Sequence, residues 1–349
     1  MKKIHVGTGK PYDIIIERGV LDEIGSYAAE LSSAQKACIV SDSNVAPLYL
    51  DRVKNSLEKA GLAVTDFVYE AGEARKNLNT IAGIYDALAD FGLTRKDIII
   101  ALGGGVCGDM AGFAAATYLR GIDFIQIPTS LLAQVDSSVG GKTGVDLPQG
   151  KNLAGAFHQP LAVLIDPDTL QTLPQDFITD GMGEVIKYGC IKDADFFRFL
   201  REENALEQIE RVIEVCVSVK RDVVSRDEKE AGERMLLNFG HTLGHAIEKL
   251  GNFSAISHGM AVAIGMVLMA RAGEKQGFTE PGTADQICEL CRKYSLPVTT
   301  DYDFPALAKA AMGDKKTAGG GISLVLLRKI GDSFTHRVPL DELEQFIIS

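Results

Sequence analysis

The run Asp97-Ile-Ile-Ile-Ala-Leu102 opens directly onto Gly103-Gly104-Gly105, and this junction constrains the fold more than any other stretch of the chain. The five residues after Asp97, with no polar alternation, read as a strand buried on both faces. Glycines placed straight after it permit a tight turn into a following helix. The same rhythm surrounds the junction. Residues 12–17 and 37–41 read as strands, a helical stretch ends at Gly61, 63–69 reads as a strand, and 77–91 as a helix closed by Gly92. Strands separated by helices of this length predict a parallel sheet covered on both faces.

From about residue 174 the pattern changes. Apolar residues recur at three- and four-residue spacing through 174–295, the period of helices packed against one another. A β-like stretch at 321–327 and a helix from about 340 close the chain. At 349 residues the chain exceeds the usual size of one hydrophobic core. The expected organisation is therefore an α/β nucleotide-binding domain with a parallel sheet over residues 1–173, and a mainly α-helical domain over 174–349. The boundary is expected near Pro167 to Pro174.

Charge and composition exclude several classes. A net charge of −11 argues against a nucleic-acid surface, which would need a basic face, but leaves room for a local Lys/Arg cluster that binds an anionic ligand. No apolar run approaches the ~20 residues of a membrane span. The start, Met1-Lys-Lys-Ile-His, has no apolar core of the signal-peptide kind, so a cytoplasmic protein is expected. Six scattered cysteines do not make a disulfide framework. Cys288 and Cys291 have CxxC spacing, but without a second pair they read as neighbours on one helix.

Three segments carry chemistry. The first is Gly103-Gly104-Gly105-Val106-Cys107-Gly108-Asp109, in which Gly103, Gly105 and Gly108 match GxGxxG between a strand and a helix. Glycines let backbone approach a pyrophosphate, whose charge the helix N-terminus attracts. Asp123 sits at the count expected of a ribose-binding acid but begins a strand; Asp42, directly after residues 37–41 and close to Asn44, is better placed. The loop Ala71-Gly72-Glu73-Ala74-Arg75-Lys76 also follows a strand and precedes a helix.

The second segment runs from Pro128-Thr129-Ser130 through Asp136 and Lys142 to Gly150-Lys151-Asn152. It reads as a long polar loop whose lysines can meet phosphate or carboxylate. Arg120, at the end of the preceding helical run, is able to join them.

The third holds three of the six histidines, between positions 241 and 258. Arg234, Asn238, His241, His245 and Glu248 fall within an arc of roughly 80° on one helix at about 100° per residue. Asn and two His are not the residues of an ordinary solvated stripe. His241 and His245 have the spacing of HExxH, but Thr242 stands where that motif has its glutamate, which removes the metalloprotease reading. Glu184-Val-Ile-Lys187-Tyr-Gly places an acid and a lysine three apart, and His258-Gly259 opens an apolar helix. Imidazole and carboxylate together suit zinc and similar divalent metals. Spacing alone does not say that Glu184, His241 and His258 meet.

These segments, together with Asp314-Lys315-Lys316, resemble the 3-dehydroquinate synthase family, and the likeness extends from about residue 10 to the end. The resemblance implies an NAD-binding domain followed by a helical domain, with the active site in the cleft between them, and a homodimer in which Arg120 reaches the partner's site. It implies zinc or cobalt on Glu184, His241 and His258. It implies NAD against Asp42, Asn44, Glu73, Lys76, Gly104, Gly105, Val106, Gly108, Asp109, Thr129, Ser130, Lys142, Lys151, Thr169 and Thr172. The small-molecule sugar phosphate would face Asp136, Lys142, Asn152, Lys187, Lys220, Arg234, Asn238, His245 and one lysine of Lys315 and Lys316. The implied reaction converts 3-deoxy-D-arabino-heptulosonate 7-phosphate to 3-dehydroquinate and phosphate, by transient oxidation on NAD, phosphate elimination, re-reduction and aldol closure. Gly183 and Met260 depart from residues common in the family, Ala and Glu; neither is an implied metal ligand or substrate contact. The rival readings are another sugar-phosphate cyclase, a metal-dependent polyol dehydrogenase of the glycerol dehydrogenase type, and a non-catalytic nucleotide-sensing module. Lys220, Arg234, Asn238 and His245 together favour the dehydroquinate branch.

Overall fold

Strand β5 (Ile98–Gly103) lies inside a seven-stranded sheet, with a strand on either side, as its unbroken apolar run requires. The structure is a computed structural model and describes residues 1–253, 255–312 and 320–348. The chain divides into two compact units: Met1–Leu173 with Lys220–Lys229, and Pro174–Val219 with Glu230–Ser349. The helical periodicity of the sequence places all of 174–349 in one domain. The segment Lys220–Lys229 instead belongs to the first unit, where Ser225 and Glu228 accept hydrogen bonds from the backbone of Gly7 and Gly9.

In the first unit the elements are β1 (Lys2–Val6), β2 (Tyr12–Ile16), α1 (Ile24–Leu31), β3 (Lys36–Asp42), α2 (Ala46–Lys59), β4 (Ala63–Tyr69), α3 (Leu78–Asp90), β5, α4 (Gly105–Thr117), β6 (Asp123–Pro128), β7 (Lys142–Leu147), β8 (Gly150–Phe157) and β9 (Ala162–Ile165). The sheet order is β1-β2-β9-β6-β5-β3-β4. All pairings are parallel except β1 with β2. Strand alternation divides the core between the two faces. Ile98, Ile100 and Leu102 pack with Ile24, Ala28, Val53 and Leu57 of α1 and α2. Ile99 and Ala101 pack with Ile81, Ile84, Met110, Ala111 and Ala114 of α3 and α4. Between β3 and β5 the chain reverses its direction of travel across the sheet, which is where doubly wound sheets bind ligands.

One expectation fails here. Residues 128–152 are not a long loop. They form a short π-helical turn at Ala133–Ser137 and then enter the antiparallel hairpin β7–β8. Thr143 and Val145 alternate inward along β7, and Thr143 donates to the carbonyl of Ala156. The glycines are needed for contact rather than for looseness: a Cβ on Gly155 would stand 2.3 Å from the Thr143 carbonyl oxygen.

The second unit contains α5 (Gln175–Lys192), α6 (Ala194–Glu202), most of α7 (Ile209–Arg226), α8 (His241–Leu250), α9 (His258–Lys275), α10 (Thr283–Lys293), α11 (Phe304–Met312), the hairpin β10 (Gly321–Lys329) with β11 (Asp332–Pro339), and α12 (Leu343–Ile348). Helices dominate, as the spacing predicted. β11 went unread because its polar, half-exposed residues carry little apolar alternation. Cys288 and Cys291 sit buried and free on α10, as neighbours on one helix.

Candidate metal centre and nucleotide loops

The segment 234–248 is not one helix. Glu233–Asn238 forms a 3-10 turn, the chain breaks at Gly240 with φ +80°, and α8 starts afresh at His241. Gly240 is required: a Cβ there would lie 2.7 Å from the Val262 carbonyl oxygen in α9. Such contacts recur at the ligand candidates. A Cβ on Gly183, beside Glu184 in α5, would stand 2.3 Å from the carbonyl oxygen of Gly259; one on Gly259, beside His258, would stand 1.9 Å from that of Asp180. Backbone therefore touches backbone where α5, α8 and α9 meet, and each candidate ligand is the chain neighbour of a glycine that lets its helix in. Asp180, one turn before Glu184 on α5, also accepts the Gly259 N–H at 2.7 Å and fastens the start of α9.

This packing brings together the three groups that spacing alone did not join. Glu184 is fully buried. Its Oε1 stands 3.3 Å from His241 Nε2 and 3.4 Å from His258 Nε2, yet has no hydrogen-bond partner among the described residues. Its Oε2 accepts from the buried ammonium of Lys187. The far ring nitrogens have acceptors of their own: His241 Nδ1 lies 3.2 Å from the Phe239 carbonyl oxygen, and His258 Nδ1 lies 3.4 Å from Glu248 Oε2. With the protons on Nδ1, both Nε2 lone pairs face the orphaned carboxylate oxygen, a donor set that fits a divalent metal. Burial pushes the Glu184 carboxyl upward, but Lys187 and the imidazoles outweigh it and hold it well below the ordinary carboxylate value. Burial disfavours charge on His258, but Glu184 and Glu248 prevail and raise it to about 10.

His245 joins the cluster. One ring nitrogen from each of His241, His245 and His258 lies within 4.8 Å of the other two. His245 is the exposed member, its side chain 58% accessible, with Nε2 4.0 Å from Glu248. Arg234 is buried nearly completely, and Asn238 donates to Glu230 at 2.8 Å. Sequence reasoning missed Asp180, and it noticed Glu248 only as part of a stripe. Glu248 carried a signal: it is three residues from His245 and seven from His241, on the same face of α8.

In the first unit the nucleotide candidates gather after the carboxyl ends of parallel strands. Asp42 ends β3, and its Oδ1 accepts from the backbone of Asn44 and Val45. Glu73 and Lys76 follow β4; Gly104, Gly105, Val106, Gly108 and Asp109 follow β5; Thr129 and Ser130 follow β6; Thr169 and Thr172 follow β9. The turn after β5 is closely lined: a Cβ on Gly103 would lie 3.4 Å from Asp42 Oδ2, and one on Gly105 2.9 Å from Ser137 Oγ. The N-cap residue of α4, Gly104, brings no side chain to the first turn, whose N–H groups fit an anion such as a pyrophosphate.

Lys76 is 5% exposed and reaches both Asp109 Oδ2 and Asn152 Oδ1 at 2.6 Å. Burial works against its charge, but Asp109 and Glu73 more than offset this and raise its pKa. Asn152, expected at the substrate, is therefore tied to two nucleotide candidates, on backbone with φ +54°. Lys151 lies 3.8 Å from Glu73, and Lys142 is exposed on β7. Lys220 pairs with Asp136 at 2.9 Å. Thr169 is buried, its hydroxyl donating to Asp166 and accepting from Gln134. Arg120 is not brought to these loops: it is exposed beyond the far end of α4, on left-handed backbone with φ +69°. Asp314, Lys315 and Lys316 lie outside the described residues. Among the described residues no helix is long and apolar enough to cross a membrane.

Comparison with known proteins places the chain in a family. Two structures similar to this chain are a 2-deoxy-scyllo-inosose synthase complexed with carbaglucose-6-phosphate, NAD+ and Co2+ (TM-score 0.88, 26% identity, 99% of each chain covered) and the 2-epi-5-epi-valiolone synthase of Streptomyces hygroscopicus with NAD+ and Zn2+ (TM-score 0.86, 27% identity, covering 97% of this chain and 96% of that one). A glycerol dehydrogenase from Schizosaccharomyces pombe, 15% identical with a TM-score of 0.67 and coverage of 96% and 87%, shares the fold. The 3-dehydroquinate synthase of Streptococcus gordonii is 49% identical over 97% of both chains, and that of Clostridium botulinum is 50% identical over 93% of this chain and 94% of its own. Residues 66–180 match the family described as 3-dehydroquinate synthase N-terminal, and residues 181–317 match 3-dehydroquinate synthase C-terminal. With both halves matched and near-full-length relatives at this identity, the chain belongs to the 3-dehydroquinate synthase family.

Proposed function

We propose that the protein converts 3-deoxy-D-arabino-heptulosonate 7-phosphate to 3-dehydroquinate and phosphate, through transient oxidation, phosphate elimination, re-reduction and intramolecular aldol closure. NAD is assigned to the first unit, and one divalent metal, zinc or cobalt, to Glu184, His241 and His258 in the second. The observation that carries this reading is the orphaned Glu184 Oε1 facing two Nε2 atoms, in a member of this family. When bound, the metal supplies Lewis acidity to a substrate hydroxyl, and NAD supplies a reversible acceptor for hydride.

The residues divide the remaining tasks. Asp42, whose carboxylate ends β3, is assigned the ribose hydroxyls. The first turn of α4 is assigned the pyrophosphate. Thr129, Ser130, Lys151, Thr169 and Thr172 line the same edge. The buried Lys76 pairs with the half-buried Asp109 and also donates to Asn152, which holds Asn152 in place. Arg234 offers a planar fork suited to the substrate carboxylate, supported by Lys220. Lys187, held against Glu184, and Asn238 are assigned to sugar hydroxyls, and Asp136 to the same substrate. Lys142, Asn152 and the exposed His245 are assigned to phosphate, His245 also being able to relay a proton. Arg120, presented away from this chain's own loops, is assigned to the partner's site in a homodimer. The six buried free cysteines support a reducing compartment, the cytoplasm.

The test is phosphate release from the heptulosonate phosphate at catalytic NAD, with and without chelator. Phosphate should appear over many turnovers per NAD and should stop when the metal is removed. Stoichiometric NADH from a polyol, without phosphate release, would identify a dehydrogenase instead.

A further inference from the structure

Among the described residues the metal cluster contains a second buried carboxylate that no step above uses. Glu248 is 1% exposed, on α8, two turns beyond His241. A carboxylate removed from water is costly unless nearby groups compensate its charge. Its Oε2 stands 3.4 Å from His258 Nδ1 and 4.0 Å from His245 Nε2, while the opposite nitrogen of His258 stands 3.4 Å from Glu184 Oε1. The His258 ring therefore lies between two buried carboxylates, one facing each nitrogen. His241 is held differently, by the neutral carbonyl of Phe239.

We propose that Glu248 is a positioning residue of the metal centre: it takes the Nδ1 proton of His258 into a hydrogen bond, fixes the ring, and leaves the Nε2 lone pair for the ion. This rests on the metal reading given above. The physical need is specific to His258. It is the first residue of α9, so no preceding helical turn confines its ring, and its side chain is 32% exposed. Glycine contacts set the distance between α8 and α9; Glu248 adds the orientation. A charged acceptor also makes the imidazole a stronger donor to a cation than a carbonyl does, and losing such a partner typically costs 10–100-fold in metal affinity.

The experiment titrates metal-stripped protein with Co2+ and Zn2+ against a competing chelator, for the unaltered protein and for Glu248→Gln, Glu248→Ala and His241→Ala. NAD affinity and the thermal melt of the stripped proteins report folding. The expected result is a dissociation constant raised about 10–100-fold by Glu248→Ala. Glu248→Gln, which keeps an acceptor of the same shape but no charge, should raise it less, and NAD affinity should be unchanged. The Co2+ visible spectrum should shift in the Glu248 variants as the His258 ligand loosens. Metal affinity within two-fold of the unaltered protein in both variants overturns the proposal while leaving the metal assignment intact, provided His241→Ala has lost the ion. Equal losses of metal and NAD affinity overturn it in favour of a general structural role. Failure of the unaltered protein to bind either ion overturns both readings.

Discussion

Glu184 shows what a single residue can carry in this chain. One carboxylate oxygen accepts from Lys187, and the other faces two imidazoles with no hydrogen-bond partner among the described residues, which is where the proposed ion would bind. The residue scale therefore predicts that His241→Ala abolishes phosphate release but leaves NAD binding intact, since the nucleotide loops belong to the other compact unit. Isothermal titration with NAD beside the phosphate assay checks this; loss of NAD binding in a folded variant would contradict the division of labour. Asp97 gives a second case, in stability rather than catalysis. Burial alone would raise its pKa, but hydrogen bonds from Thr94, Lys36 and Gln35 prevail and lower it. A lowered folded value means the stabilisation is fully present above the unfolded value near ~4 and is lost as pH falls through the folded one. Asp97→Asn should cost about 1–3 kcal/mol at pH 7, in line with hydrogen bonds to a charged group. In urea melts that deficit should shrink as pH falls below about 4; a deficit that stays constant would mean the carboxylate charge is not the source.

At the level of elements, close helix contact determines whether the ligands meet. A Cβ on Gly265 in α9 would lie 2.0 Å from the Gly240 carbonyl oxygen, at the start of α8. Gly265→Ala should force the helices apart, cost about 1–3 kcal/mol as overpacking does, and weaken metal binding by separating His241 from His258. Gly277→Ala is the comparison: φ is +74° but nothing lies within 4 Å of the added Cβ, so it should cost about 1 kcal/mol of backbone strain and leave metal affinity unchanged. Thermal melts with a metal titration separate the two. The same contacts explain why the stripe 234–248 misled as a single helix. Angular counting assumes a continuous backbone, and it contains no information about α9, whose approach breaks the helix at Gly240.

For the whole molecule, two units with separate ligand candidates predict separate protection. Added NAD should slow amide exchange in β5 and the first turn of α4, and added Zn2+ should slow it in α8 and the start of α9; a chelator should reverse only the second. Hydrogen-exchange mass spectrometry reads both, and protection by Zn2+ confined to the first unit would refute the metal assignment.

The strand-and-helix alternation around Gly103-Gly104-Gly105 was legible in the sequence, because a strand buried on both faces must be apolar throughout and its turn must admit backbone. So were the helical character of the second half and the loops after β3, β4 and β5, since each is written in a local period or a local break. The family motifs named Glu184, His241 and His258 together, and residue chemistry alone already marked each of them as a possible ligand. Only the tertiary structure decided that their donor atoms face one another, that Lys220 pairs with Asp136, that Lys76 ties Asp109 to Asn152, that residues 142–157 form a hairpin, and that Glu248 backs His258. Periodicity describes one element at a time. These features depend on contacts between different elements, which no spacing within a single element encodes.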